Sequence, residues 1–87
     1  MKVRWREFAR DLLADIVVVS DLARQDEIER AVLRIDGALA KDPWNLGESR
    51  GTPTRGSWSV EPITVLFDIV ENLDEVVVLH VAAKRLK

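Results

Sequence analysis

The residue types best suited to chemistry gather in the C-terminal half of the chain. His80 is the single histidine, and histidine is the side chain that titrates near neutrality without help. It is the natural candidate for a general acid or base. Arg50 and Arg55 flank Gly51-Thr52-Pro53-Thr54, with Glu48 just before them. Guanidinium forks suit phosphate oxygens. Lys84 and Arg85 follow the last apolar run and could meet phosphate or an acidic partner segment.

Each of these has a plainer structural reading. A lone histidine in a valine-rich strand is commonly packed or half-buried. Arg50 in a loop can simply bridge to Glu48, and a basic tail is usually a solvated end. Trp44 and Trp58 could stack bases, although tryptophans in so small a protein commonly serve the core or its edge. Asp68, Glu71, Asp74 and Glu75 lack the fixed spacing and turn glycine of a calcium loop, so they read as a solvated turn. There is no phosphate-binding glycine loop, zinc-ligand spacing or nucleophile elbow. No metal or cofactor is expected.

Behind these residues stands a chain of 87 residues, the length of one domain, residues 1–87. The apolar fraction of 47% suits a packed core rather than a disordered chain. Cysteine is absent, which excludes disulfides and thiolate metal sites. The formal net charge is −2 and the pI about 5.3, which argues against a strongly basic nucleic-acid binder. Met1–Arg10 lacks the apolar core of a signal peptide. Apolar runs such as Ile16–Val19 fall far short of a membrane span. A cytoplasmic location without membrane contact is expected by default.

The elements that must position the candidates follow from periodicity. Lys2–Trp5 predicts a short strand with Val3 and Trp5 on one face. Phe8, Leu12, Ile16 and Val19, widened by Leu13 and Val17, predict a helix over Glu7–Val19. Ser20 and Asp21 are N-cap types that separate it from a second helix. Ile28, Val32, Ile35 and Leu39, with Ala31 and Ala38, mark the apolar face of that second helix. Glu27–Arg30 is the expected surface pair, and Asp42-Pro43 ends the helix.

Pro43–Pro53 reads as a connecting loop pinned by Trp44 and Leu46. Three strands follow: Thr54–Val60, Ile63–Val70 and Val76–Ala83. In the last, Val77, Leu79, Val81 and Ala83 are expected on the buried face, and Val76, Val78, His80 and Ala82 on the other. The order β-α-α-β-β-β predicts an α+β domain, a helical hairpin packed on one face of a mostly antiparallel sheet. The other face keeps Thr64, Asp68 and His80.

This order resembles the RelE/ParE toxin superfamily, in a short form lacking the C-terminal helix. Arg34–Arg50 (RIDGALAKDPWNLGESR) looks like the end of the family's second helix and the loop after it. Val60–Arg85 looks like its C-terminal hairpin. The resemblance covers nearly the whole chain.

It implies the toxin-like component of a type II toxin–antitoxin module, of the kind associated with plasmid stabilisation. Such a component acts on mRNA at the ribosome or on DNA gyrase, and a small cognate antitoxin neutralises it. For an mRNA-interferase-type endoribonuclease the family's pattern places Arg55 on the strand of basic groups, and Arg85 at the arginine after the last strand. His80 is then a substitute acid or base, with Arg50, Lys84 and Glu48 as binding residues. The catalytic set is incomplete: Thr64 stands where the family has an arginine, and the chain has no tyrosine. The alternative is a non-toxic protein-binding module on the same fold, one version of which is a homodimer.

Overall fold

The computed structural model describes residues 1–46, 48–50 and 52–83. Strand β1 (Lys2–Trp5) leads into helices α1 (Glu7–Val18) and α2 (Leu22–Lys41). Strands β2 (Glu48–Arg50), β3 (Thr52–Val60), β4 (Ile63–Val70) and β5 (Glu75–Ala83) follow. They form one sheet in the order β1-β5-β4-β3-β2. β1 runs parallel to β5, and every other pairing is antiparallel. The fold is therefore α+β, with both helices on one face of a mostly antiparallel sheet. The expected connecting loop contains two further elements, a single 3-10 turn at Pro43–Asn45 and the short edge strand β2, and β3 begins within it at Thr52.

β4 sits at the middle of the sheet and shows why one face is closed. Ile63, Val65, Phe67 and Ile69 are buried, while Thr64, Leu66, Asp68 and Val70 alternate with them and are half-exposed. The buried set packs with Ala9 of α1, Ile28, Ala31, Ile35 and Leu39 of α2, and Val76, Val78 and Val81 of β5. The Asp21 side chain accepts a hydrogen bond from the Arg24 N–H at 2.8 Å and starts α2. Ser20 donates to the Ile16 carbonyl at 2.7 Å, and the Gln25 amide reaches the Val17 and Ser20 carbonyls, both at 3.0 Å. The turn of the hairpin is thus fastened from both sides.

Four expectations are corrected. Phe8 is 53% and Val19 85% exposed, so the buried edge of α1 is Ala9, not Phe8. Trp44 is also exposed; Leu46 packs against the core, and Pro43 is buried. The α2 surface pair is Asp26–Arg30 at 2.7 Å, one full i,i+4 step, rather than Glu27–Arg30.

The fourth concerns β5. Val65 faces Val81 and Leu66 faces His80, but Phe67 faces Val78. The register shift leaves Leu79 as the extra residue of a bulge. Strict alternation therefore fails in mid-strand, because one inserted residue reverses the facing of everything before it. Val76 and Val78 join the core, and Val77 lies opposite Asp68 on the other face.

Candidate functional site

The open face of the sheet is built from alternate residues of β3, β4 and β5. Arg55 is exposed on β3, directly opposite Asp68 of β4, which in turn lies opposite Val77 of β5. Val77 is opposite Arg4 of β1. One row across the sheet thus reads Arg4, Val77, Asp68, Arg55. Arg4 is fixed at its end, its Nε donating to the Glu75 carboxylate at 2.7 Å. Asp68 is less settled: its Oδ1 is buried and has no hydrogen-bond partner among the described residues. Four residues along the strands, two same-face steps away, the Ser59 and Thr64 hydroxyls share a hydrogen bond of 2.7 Å.

His80 belongs to a different place on this face. It is exposed opposite Leu66, and its ring lies 6.0 Å from that of Phe8, tilted by 48°. Arg55 and His80 are separated by β4 and by two residues along it. Strand spacing and rise put their backbones about 12 Å apart. A general acid or base has to reach the atom whose proton it moves; the two side chains would have to extend towards each other across β4, whereas the His80 ring lies beside Phe8. Thr64, at the position where a transition-state arginine was expected, is engaged with Ser59 instead.

Of the other expected site residues, Glu48 lies opposite Ser57, and Arg50 opposite Thr52, in the β2–β3 pairing. Their side chains lie outside the described residues, as do Lys84 and Arg85. The structure therefore describes two of the six candidate side chains, and it does not bring those two together.

A second surface carries basic residues that the sequence reading passed over. Arg4, Arg6 and Arg10 line a cleft of about 710 Å³ at the corner of β1 and α1. Val3, Leu13 and Val32 form its apolar part, and Asp36 lies at its wall, accepting a hydrogen bond from the Trp5 indole at 2.6 Å. The signal was present in the first ten residues, which hold four basic side chains and one acidic one in a chain of formal charge −2. A low overall pI masks this local excess.

No family model matches the sequence, and no curated protein matches it. Solved structures do match in fold. The chromosomal ParDE toxin–antitoxin system from P. aeruginosa superimposes with a TM-score of 0.74 at 15% identity, over 98% of this chain and 97% of that one. The toxin–antitoxin complex RelBE2 from Mycobacterium tuberculosis gives 0.72 at 20% identity, over 95% and 90%. The isolated E. coli RelE toxin gives 0.64 at 10% identity, over 99% and 86%. With 95–99% of this chain superimposed at TM-scores of 0.64–0.74, the chain has the RelE/ParE toxin fold.

Proposed function

We propose that this chain is the toxin-type component of a type II toxin–antitoxin pair, neutralised by a small cognate antitoxin, and that when free it acts by binding its target rather than by cutting RNA. The observation that carries the second half is the separation of Arg55 from His80 on the open face, with Thr64 bonded to Ser59. Phosphodiester cleavage by 2′-hydroxyl attack calls for a base, an acid and cationic groups around one phosphate. Arg55 and His80 stand two strands apart on the open face, the other guanidinium of that row, Arg4, is paired with Glu75, and the chain has no tyrosine. Of the two targets implied by the family resemblance, DNA gyrase requires no catalytic set and is the better fit; mRNA at the ribosome is the other.

The test is induced expression in a bacterial host, read as growth, as incorporation of labelled methionine, and as plasmid supercoiling. Growth arrest with altered supercoiling, early intact translation and no effect of His80→Ala supports the proposal. Arrest with an immediate stop in translation, relieved by His80→Ala or Arg55→Ala, overturns it in favour of an endoribonuclease. Folded protein that leaves growth, translation and supercoiling unchanged favours the second reading, a protein-binding module without toxicity. The exposed apolar side chains of the helical hairpin, Val18, Leu22 and Leu33, speak for that reading.

A further inference from the structure

The cleft at the β1–α1 corner draws its walls from three elements. Trp5 ends β1, the Arg6 N–H bonds to the Val78 carbonyl at 3.1 Å, and the chain turns directly into α1. Arg6, Arg10 and Leu13 follow at i, i+4 and i+7. They share one face of the start of α1 over roughly 10 Å. Val32 and Asp36, one i,i+4 step apart on α2, complete the lining. The volume of about 710 Å³ falls within the range of small-molecule sites.

Its polar groups divide into committed and uncommitted ones. Arg4 is paired with Glu75 at 2.7 Å, and the Trp5 indole is held by Asp36 at 2.6 Å. Arg6, Glu7 and Arg10 are exposed, and none of the three side chains makes a hydrogen bond or ion pair with a described residue. Val3, Leu13 and Val32 are half-buried against the core. Two uncommitted guanidinium groups, one uncommitted carboxylate, a fastened indole and an apolar floor therefore line one space.

We infer that this cleft binds a small ligand of the nucleoside monophosphate class, with its phosphate at Arg6 and Arg10 and its base towards Trp5 and the apolar floor. Two guanidinium forks match the charge and geometry of one phosphate dianion. Trp5, fastened by its bond to Asp36, gives the cleft an aromatic wall on which a base can stack. Glu7 and Asp36 supply acceptors for the hydroxyl and amino donors of a nucleoside, since a carboxylate accepts more than one hydrogen bond. Inorganic phosphate would leave the indole and the apolar floor unused. A polyanionic strand fits less well, because the same two carboxylates repel its successive phosphates. The inference does not rest on the toxin reading, and the cleft is separate from the open face of the sheet.

The test is an NMR titration of the purified full chain with adenosine 5′-monophosphate, beside adenosine and inorganic phosphate. The monophosphate is expected to shift the amides of Val3, Glu7 and Arg10 and the Trp5 indole N–H saturably, with a Kd of about 0.1–1 mM. Adenosine and phosphate should each bind about tenfold more weakly. Arg6→Gln with Arg10→Gln should weaken the monophosphate about tenfold and leave adenosine unchanged. Arg30→Gln with Arg34→Gln removes the same charge from α2 outside the cleft and should change nothing. All four arginines are exposed, so both variants should melt within a few degrees of the parent. Absence of saturable shifts up to about 10 mM overturns the inference. So does phosphate binding as tightly as the monophosphate, which leaves a bare anion site. An equal loss in the Arg30 and Arg34 variant overturns it too, since the attraction is then general charge. A single-stranded RNA of about ten nucleotides that binds far more tightly through Arg6 and Arg10 would make the cleft part of a nucleic-acid groove, and the inference fails. Growth arrest in cells does not enter this readout, so the inference and the toxin reading fail separately.

Discussion

The indole N–H of Trp5 donates to the Asp36 carboxylate at 2.6 Å, and this bond ties edge strand β1 to the middle of α2. β1 is only four residues long and pairs with a single neighbour, β5. Its other attachments to the helical layer are the amino terminus, which donates to the Ala40 carbonyl at 2.8 Å, and the packing of Met1, Val3 and Trp5 against the core. A short edge strand held so sparsely depends on each fastening.

Asp36→Ala should therefore destabilise the chain by about 2 kcal/mol, the range for a part-buried hydrogen bond to a charged acceptor. Urea unfolding followed by tryptophan fluorescence gives the magnitude. Hydrogen exchange gives the location, with the amides of Val3–Trp5 speeding up ahead of those in β4. A uniform change across the sheet would mean that Asp36 matters for α2 rather than for the docking of β1.

Gly56 lies close against the Phe67 ring. It lies opposite Phe67, and a Cβ built on it would stand 2.7 Å from the Phe67 ring, with two further ring carbons at 3.2 and 3.3 Å. A ring braced inside the sheet cannot yield as the end of a flexible chain does. Gly56→Ala is expected to cost about 1–3 kcal/mol by overpacking. Phe67→Leu costs on its own through lost burial, but the double variant should lose less than the two singles together. Thermal melts of the four proteins read the coupling, and strict additivity would show that the ring moves aside freely.

The hairpin turn makes a smaller prediction. Asp21→Ala removes the acceptor for the Arg24 N–H and should cost about 1 kcal/mol, whereas Asp21→Asn retains a cap and should cost little. Denaturant midpoints at constant slope distinguish the two. Equal losses would point to charge, not capping, as the contribution.

How far the sequence disclosed all this depends on the kind of signal each element carries. α2 was legible as a helix and at its C-terminal end, because Ile28, Ile35 and Leu39 recur at one helical period and Pro43 stops it, while its start at Leu22 falls inside the expected Ser20–Arg24 connection. β4 was legible because strict alternation runs unbroken from Ile63 to Val70. β5 was legible as a strand but not in its facing: the apolar run Val76–Leu79 offers no alternation against which to detect the bulge at Leu79. β2 was missed because three polar residues between glycines carry no period at all. In the candidate site, single-residue chemistry was visible and distance was not. His80 and Arg55 stand out by type, while β4 between them appears only once the strands are ordered. The charge at Arg6 and Arg10 was readable locally, but the cleft they line exists only because Leu13 of α1 and Val32 of α2 are brought together.

Asp68 gives the sharpest contrast between stability and candidate function. Its Oδ1 is buried with no partner among the described residues, although Arg55 lies directly opposite in the register. A buried acceptor without a donor costs free energy that a β-branched residue of similar size would not. Asp68→Thr should therefore stabilise the chain by about 1 kcal/mol. Since the structure has no ion pair between them, Arg55→Ala should combine additively with it. If Asp68→Thr stabilises the fold and also abolishes growth arrest, the carboxylate is kept on the open face for target contact at the expense of stability. If it destabilises the chain and couples to Arg55→Ala, the two side chains pair in solution and the row across the sheet is a structural fastening.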